Sequence, residues 1–417
     1  MTASAPASAT ASRRPVLNGD WYPSTPPAHA TQSSHVLFTA DGAAVTGTLY
    51  EVPGARTVVT IMHPRADASR HYLIPSLLDR GFSVWTQLGR AGGGDLRLVH
   101  ENALLDIAAG MAFLRERDYR HIVCLANSGG ASLYTFYLDQ AAREPSERIA
   151  VTPGGRPVGL PGADLPGVDG IVYVAPHPGQ GALLLECVDP SVTDESDPLS
   201  VDGSLDLFDP ANGFAPPPES SRYDPSFLQR YREAQRARVA RIDAYARECI
   251  ARRQEARARF KKGGTAADER LGTHQPVVLV HRTDADPRTV DLSLDPSDRR
   301  YGSVWGRRPH VTNYGLLGFG RMTTPEAWLS TWSGLSSNAD MARTAPAVTC
   351  PALVVEYTGD NCVFPSQTKR IVDDLGSRDK THVRVRADHF GQPIGPGIAF
   401  EKADPIVCEW LSARFAT

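Results

Sequence analysis

The sequence lacks most of the features that would place it outside an ordinary aqueous, globular setting. No run approaches 18 apolar residues, so no membrane-spanning helix is expected. Neither sign of charge dominates. The 44 Lys and Arg face 47 Asp and Glu, a net charge of -3, which gives no global reason to expect nucleic acid or an anionic membrane as partner. Six cysteines (Cys124, Cys187, Cys249, Cys350, Cys362 and Cys408) include no CxxC pair and no short disulfide-type spacing, and read as reduced thiols filling the core. The twelve histidines show no HExxH or comparable ligand spacing, so no metal is expected. The glycine-rich "LGRAGGGD", residues 88–95, is neither a dinucleotide fingerprint nor a Walker loop. It reads as a flexible loop, and no organic cofactor is implied. The opening "MTASAPASATASRRPVLNGD" has no continuous apolar stretch after a basic start and does not read as a secretory signal. A disordered tail over residues 1–33 and a cytoplasmic protein are the expectations.

What is present is a rhythm. From about residue 35, strand-like and helix-like runs alternate. "HVLFTA" and "AVTGTLYEV" read as strands about a "DG" turn, and "RTVVTIMHP" is a continuous apolar run of the kind buried on both faces of a sheet. "HYLIPSLLDRGF" has helical spacing and closes at Gly81. "FSVWTQ", "HIVCLAN" and "DGIVYVAPH" read as further strands, with helices "ENALLDIAAGMAFLRER" and "GGASLYTFYLDQAAR" between them. Strands separated by helices of this length imply right-handed crossovers and a mostly parallel sheet. The rhythm stops near residue 179 and resumes at "CPALVVEYTG" with a strand, a helix, the strand "THVRVRA" and a terminal helix. The expected architecture is an α/β core, residues 34–178 and 345–417, with a mostly parallel central sheet flanked by helices. A largely helical cap, residues 179–344, interrupts it.

The cap sequence begins in acidic, proline-rich loops and continues into a long helix from about Pro225 to Lys262. Between Arg222 and Lys262, thirteen Lys/Arg stand against five Asp/Glu. Its apolar positions (Leu228, Tyr231, Val239, Ile242, Ala246, Cys249) make a narrow seam, suited to the core or to a second copy in a homodimer. The acidic stretch 186–209 could offset the positive charge. "YGSVWGRRPHVTNYGLLGFGRMTTPEAWLSTWSG" supplies Trp305, Trp328 and Trp332, residues that could line a pocket for an aromatic or bulky substrate or fill the cap's own core. "HRTDADPRTVDLSLDPSDRR" lacks calcium-loop spacing, and its arginines argue for internal ion pairs.

Ligands and reacting groups gather at the carboxyl ends of parallel strands. Ser128 sits at such an end, after "HIVCLAN". A nucleophile there needs a tight turn with small residues two before and two after, here Ala126 and Gly130. A helix N-cap serine would look the same in isolation. A serine needs a base, and the base an orienting carboxylate. Asp360 follows the strand "ALVVEYTG", and His389 follows "THVRVRA". Asp388 is too near in sequence to orient His389, and His382 lies within a strand run.

The strand order, the elbow "ANSGG", the "GD" after the penultimate strand and the "DHF" after the last one resemble the α/β-hydrolase superfamily. The resemblance covers the two core segments and not the cap. It implies a catalytic triad Ser128–Asp360–His389 and an oxyanion hole made of two backbone N–H groups. The first maps to Gly129. The loop that usually begins His-Gly here reads "MHPRAD", and because Pro64 has no N–H, Arg65 becomes the expected second donor. His63 is expected to support that loop, and His63 and Asn127 join the three tryptophans as candidate substrate contacts. The expected activity is hydrolysis of a carboxylic ester of a small to medium, aromatic or bulky substrate. "NSGG" is also similar to the elbow of C–C bond hydrolases. Acyl transfer would use the same triad, and a non-catalytic ligand-binding protein of the same fold is the alternative of another class.

Overall fold

The computed structural model describes residues 26–416. Most of the expected N-terminal tail, residues 1–25, lies outside the described residues. The core begins earlier than its expected start at residue 34, because β1 spans Thr31–Phe38 and pairs along its whole length with β2, Ala44–Glu51. The further strands are β3 (Thr57–Met62), β4 (Ser83–Leu88), β5 (His121–Asn127) and β6 (Gly170–Val174). Two short cap strands, β7 (Val278–Leu279) and β8 (Met322–Thr323), pair only with each other. The last strands are β9 (Ala352–Tyr357) and β10 (Lys380–Val385).

Eight strands form one sheet in the order β1-β2-β4-β3-β5-β6-β9-β10. β2 is antiparallel to both neighbours, and every pairing from β4 to β10 is parallel. The connecting helices include α1 (Ile74–Asp79), α2 (His100–Arg115) and α3 (Gly130–Ala141). Alternate side chains of each strand point to opposite faces. In β5, Ile122, Cys124 and Ala126 therefore join the core under α2 and α3. Val123 and Leu125 join the core under α1 and the terminal helix Asp404–Phe415. Burial on both faces explains why β5 reads as an unbroken apolar run.

The stretch between β6 and β9 adds no strand to this sheet. It holds α4 (Gln180–Cys187) and α5 (Pro225–Lys261), a helix of 37 residues. The Asp224 side chain accepts the Ser226 N–H at its start, with Pro225 in the first turn, where a missing N–H costs nothing. Tyr231, Val239, Ile242 and Ala246 of α5 are buried. They pack largely within the cap: Val239, Ile242 and Ala246 meet Val278, Val280, Trp328, Leu329 and Trp332, so the chain itself covers the seam that could have faced a second copy. Arg238 on the same face is fully buried. Its guanidinium holds Glu195 through two hydrogen bonds of 2.8 and 2.7 Å and donates to the carbonyls of Asp189 and His281. The acidic stretch thus answers two arginines of the helix directly, since Glu195 also lies 3.9 Å from Arg241. In the aspartate-arginine segment after β7, Arg288 pairs with Asp286 within the segment and with Glu186 of α4.

The cap is fastened to the start of α2. The buried Glu101 carboxylate accepts from Ser330 Oγ at 2.5 Å and from Asn338 Nδ2 at 2.9 Å. Ser330 Oγ accepts the His100 N–H, and Thr331 Oγ1 donates to the Leu98 carbonyl. Among the described residues, no helix is long and apolar enough to cross a membrane.

Candidate active site

The turn after β5 is strained. Ser128 has φ 50°, in the left-handed region that L-residues with a Cβ avoid. Its N–H is held by the Val174 carbonyl at 3.0 Å, the acceptor that also takes the Asn127 amide. The chain then enters α3 at once. Gly130 cannot be larger, because a Cβ there would stand 2.7 Å from the Met62 carbonyl oxygen of β3. The small residue two places after the serine is thus explained by the approach of α3 to the sheet.

Two other strand ends converge on this serine. Ser128 Oγ lies 3.0 Å from His389 Nε2, and His389 Nδ1 lies 2.7 Å from Asp360 Oδ2. The other Asp360 oxygen accepts the backbone N–H groups of Cys362 at 2.7 Å and Val363 at 2.9 Å. Asp360 is 3% exposed and His389 is 7% exposed, so their hydrogen bond is shielded from water. Burial alone would push the His389 imidazole down. The charge and hydrogen bond of Asp360, with the charge of Asp388, outweigh it and hold the ring above its ordinary 6.5. Asp388 instead accepts the Phe390 and Gln392 N–H groups and shapes the loop. His382 pairs with Glu356 on the sheet.

A parallel sheet with one antiparallel strand second from its edge, a strained serine after the fifth strand, and an acid and a histidine after the last two strands now stand together. The fold is that of the α/β-hydrolases. No protein-family model matches the chain, and no curated protein matches it in sequence. The solved structure of DcsB in complex with its substrate analogue is 10% identical, covers 92% of this chain and 97% of its own, and gives a TM-score of 0.49. A hypothetical protein from Pseudomonas aeruginosa is 12% identical, with 96% and 99% covered and a TM-score of 0.48. The esterase domain of a Rhodothermus marinus protein is 9% identical, with 92% and 98% covered and a TM-score of 0.41. The α/β-hydrolase assignment rests on the strand order and the elbow.

Above the serine of this hydrolase fold lies a cavity of about 1020 Å³, large enough for a drug-sized ligand. Core residues His63, Asn127, Ser128 and His389 face cap residues Trp305, Phe319 and Trp332 across it. Asn127 lines the cavity, but its amide nitrogen is committed to the Val174 carbonyl. Trp305 and Trp332 line it, with Phe319 between them at centroid distances of 4.8 and 6.4 Å. Trp328 does not. It is fully buried in the cap core and donates Nε1–H to Asp243 at 2.7 Å, which corrects its reading as a pocket residue.

Arg65 requires a second correction. Its backbone N–H, expected as an oxyanion donor, points back and donates to His63 Nδ1 at 3.0 Å. Pro64 fixes the backbone between them, and the turn that results folds the N–H of the third residue onto the ring of the first. The Arg65 side chain grips Asp95 through bonds of 2.6 and 2.9 Å, donates to the Gly318 carbonyl and lies over Trp332 at 4.8 Å. The glycine-rich loop is therefore pinned at Asp95 to the β3 loop and the cap. Gly129 holds the expected place directly after the serine. A Cβ on it would stand 2.5 Å from Gln180 Nε2 and 3.0 Å from both His63 Nε2 and His177 Nε2. His177 had no place in the sequence reading, although the dipeptide His-Pro recurs after β3 and after β6, the two strands that flank β5. That recurrence was the available signal. Among the described residues, no group of three or more His, Cys, Asp or Glu is placed to hold a metal ion.

Proposed function

We propose that the protein is a serine hydrolase that cleaves the carboxylic ester of a bulky, largely apolar substrate through an acyl-enzyme on Ser128. The observation that carries this reading is the buried relay Ser128 Oγ–His389 Nε2–Asp360, with bonds of 3.0 and 2.7 Å, opening on an aromatic cavity. His389 Nε2 takes the Ser128 proton as Oγ attacks the ester carbonyl. The tetrahedral intermediate collapses, the C–O bond breaks and His389 returns the proton to the leaving alkoxide. Water, deprotonated by His389, then releases the acid and restores the serine. Asp360 holds the ring with Nδ1 protonated and stabilises the imidazolium in between. The substrate body lies against Trp305, Phe319 and Trp332, which favours apolar or aromatic groups.

The test uses p-nitrophenyl butyrate and a fluorophosphonate probe on the whole chain. The wild type should hydrolyse the ester and carry the label on Ser128. Ser128→Ala should do neither while keeping its circular dichroism. Undiminished hydrolysis in Ser128→Ala would overturn the reading.

A further inference from the structure

His63 and His177 occupy matching places. β3 and β6 both hydrogen-bond to β5, one on each side, and each is followed by a His-Pro-x turn. In the first, the Arg65 N–H donates to His63 Nδ1 at 3.0 Å. In the second, the Gly179 N–H donates to His177 Nδ1 at 3.2 Å. The second turn needs its glycine, since Gly179 has φ 146° and a Cβ there would meet the Ala339 carbonyl oxygen at 2.3 Å. A ring nitrogen that accepts a hydrogen bond carries no hydrogen, so in a neutral imidazole the hydrogen sits on the other nitrogen. Both rings are held neutral. Burial, with the nearby Arg65 and His389 among further charges, lowers His63 to about 3 and drives His177 well below its ordinary value. Both Nε2 atoms are therefore donors.

Those two donors stand 3.0 Å from the Cβ position of Gly129, the residue whose N–H follows the nucleophile. Among the described residues, no hydrogen bond occupies either Nε2. The third nitrogen nearby is already engaged, because Gln180 Nε2 donates to the Gly129 carbonyl at 3.4 Å while its Oε1 accepts from Ser132 Oγ. Both imidazoles line the cavity with Ser128 and His389. The loop donor that should have completed the oxyanion hole is turned away, and two side-chain donors stand beside Gly129 at the cavity.

We infer that the oxyanion of the tetrahedral intermediate is received by the Nε2–H groups of His63 and His177 together with the Gly129 N–H, and that Arg65 has no part in it. The inference rests on the proposed serine hydrolysis and assigns two further catalytic residues to it. Each histidine then does two things. Nδ1 fixes the turn that aims the ring, and Nε2–H meets charge as it develops.

Two substitutions separate these tasks. Asparagine keeps an acceptor where Nδ1 stands, since Asn Oδ1 takes the N–H two residues on in the same kind of turn, but it has no donor at Nε2. Glutamine reaches the Nε2 position with its amide and gives up the Nδ1 acceptor. With p-nitrophenyl butyrate, His63→Asn and His177→Asn should each lower kcat about 10²-fold or more with little change in KM. Each should weaken a phenylboronic acid, which mimics the tetrahedral state, to a similar degree. His63→Gln and His177→Gln should stay within about tenfold of the wild type by comparison with that loss. Equal losses in both series, the reverse order, or no loss in either would mean that the rings only brace their turns, and would overturn the inference. Ester hydrolysis that survives Ser128→Ala would instead overturn the parent reading, and this one with it. Circular dichroism and melting of all four variants identify any loss caused by unfolding.

Discussion

Replacing Asp360 with asparagine removes a charge and, because of how the two oxygens are used, should also reverse the tautomer of His389. One oxygen accepts two backbone N–H groups, from Cys362 and Val363, and the other accepts from His389 Nδ1. An asparagine satisfies the backbone only with its carbonyl oxygen facing those two donors. Turned over, it would leave two buried N–H groups facing an NH2, at about 1–3 kcal/mol for each unsatisfied group. The amide nitrogen therefore faces Nδ1, and the contact is favourable only when Nδ1 has no hydrogen. The ring then carries its hydrogen on Nε2, pointed at Ser128 Oγ 3.0 Å away, where it can no longer accept a proton. Loss of the base should reduce kcat about 10⁴-fold, or about 5.5 kcal/mol of barrier at 1.36 kcal/mol per decade. KM should hardly move, since Asp360 is not among the residues lining the cavity. Hydrolysis of p-nitrophenyl butyrate measures the loss, and ¹⁵N NMR of the imidazole reads which nitrogen bears the hydrogen. A kcat within tenfold of the wild type, or a hydrogen still on Nδ1, would refute the reasoning.

Three further outcomes are expected. Activity needs neutral His389, whose protonation is raised above 6.5 in part by Asp388. Asp388→Asn keeps an oxygen for the Phe390 and Gln392 N–H groups and should move the acid limb of the kcat/KM profile to lower pH; a limb that stays put or moves up would count against the pairing. Ser128 sits at φ 50°, which glycine tolerates and alanine does not. Inactive Ser128→Gly should therefore unfold at a higher temperature than inactive Ser128→Ala, by about 1 kcal/mol in stability, and a lower Tm for the glycine variant would contradict the strain. Asp284 is buried against Ser303 Oγ and Thr312 Oγ1, and burial raises it to about 6. The folded chain then holds a proton that the unfolded chain releases above about 4, so the contribution of Asp284 to stability should fall as pH rises from 4 to 6. Asp284→Asn should show a melting advantage that grows over that window and is flat above it; equal Tm curves would remove the effect.

The sheet and the serine, acid and histidine of the candidate site were readable because a strand buried on both faces leaves a continuous apolar run, and the residue just beyond it lies at the carboxyl edge of the sheet. Ser128 and Asp360 each follow such a run, while His389 follows the edge strand β10, whose apolar and polar residues alternate. Three things were not readable, for separate physical reasons. Arg65 looked like the next available donor in one dimension, yet the direction of an N–H depends on the turn, and Pro64 turns it onto His63. Trp328 and Trp332 lie four residues apart with the same composition around them, and only the contact with Asp243, 85 positions earlier, marks Trp328 as core. The seam of α5 gave its own apolar spacing correctly but could not say what covers it, because much of the covering comes from residues 278–332, which carry little periodicity of their own.

The attachment of the cap through Glu101, Ser330, Thr331 and Asn338 has a consequence for how this protein could change over generations. Trp332, a wall of the cavity, lies two residues from Ser330, whose hydroxyl is locked into a buried carboxylate and the first turn of α2. A mutation that reshapes this wall therefore also perturbs the joint, and a more stable background would be needed before it was tolerated. Leu316 and Leu317, which also line the cavity, are 92% and 40% exposed, and the Leu317 carbonyl accepts from Arg321, four residues on in the same loop, rather than from a buried joint. New substrate preferences should arise there first, while the Trp332 side stays conservative.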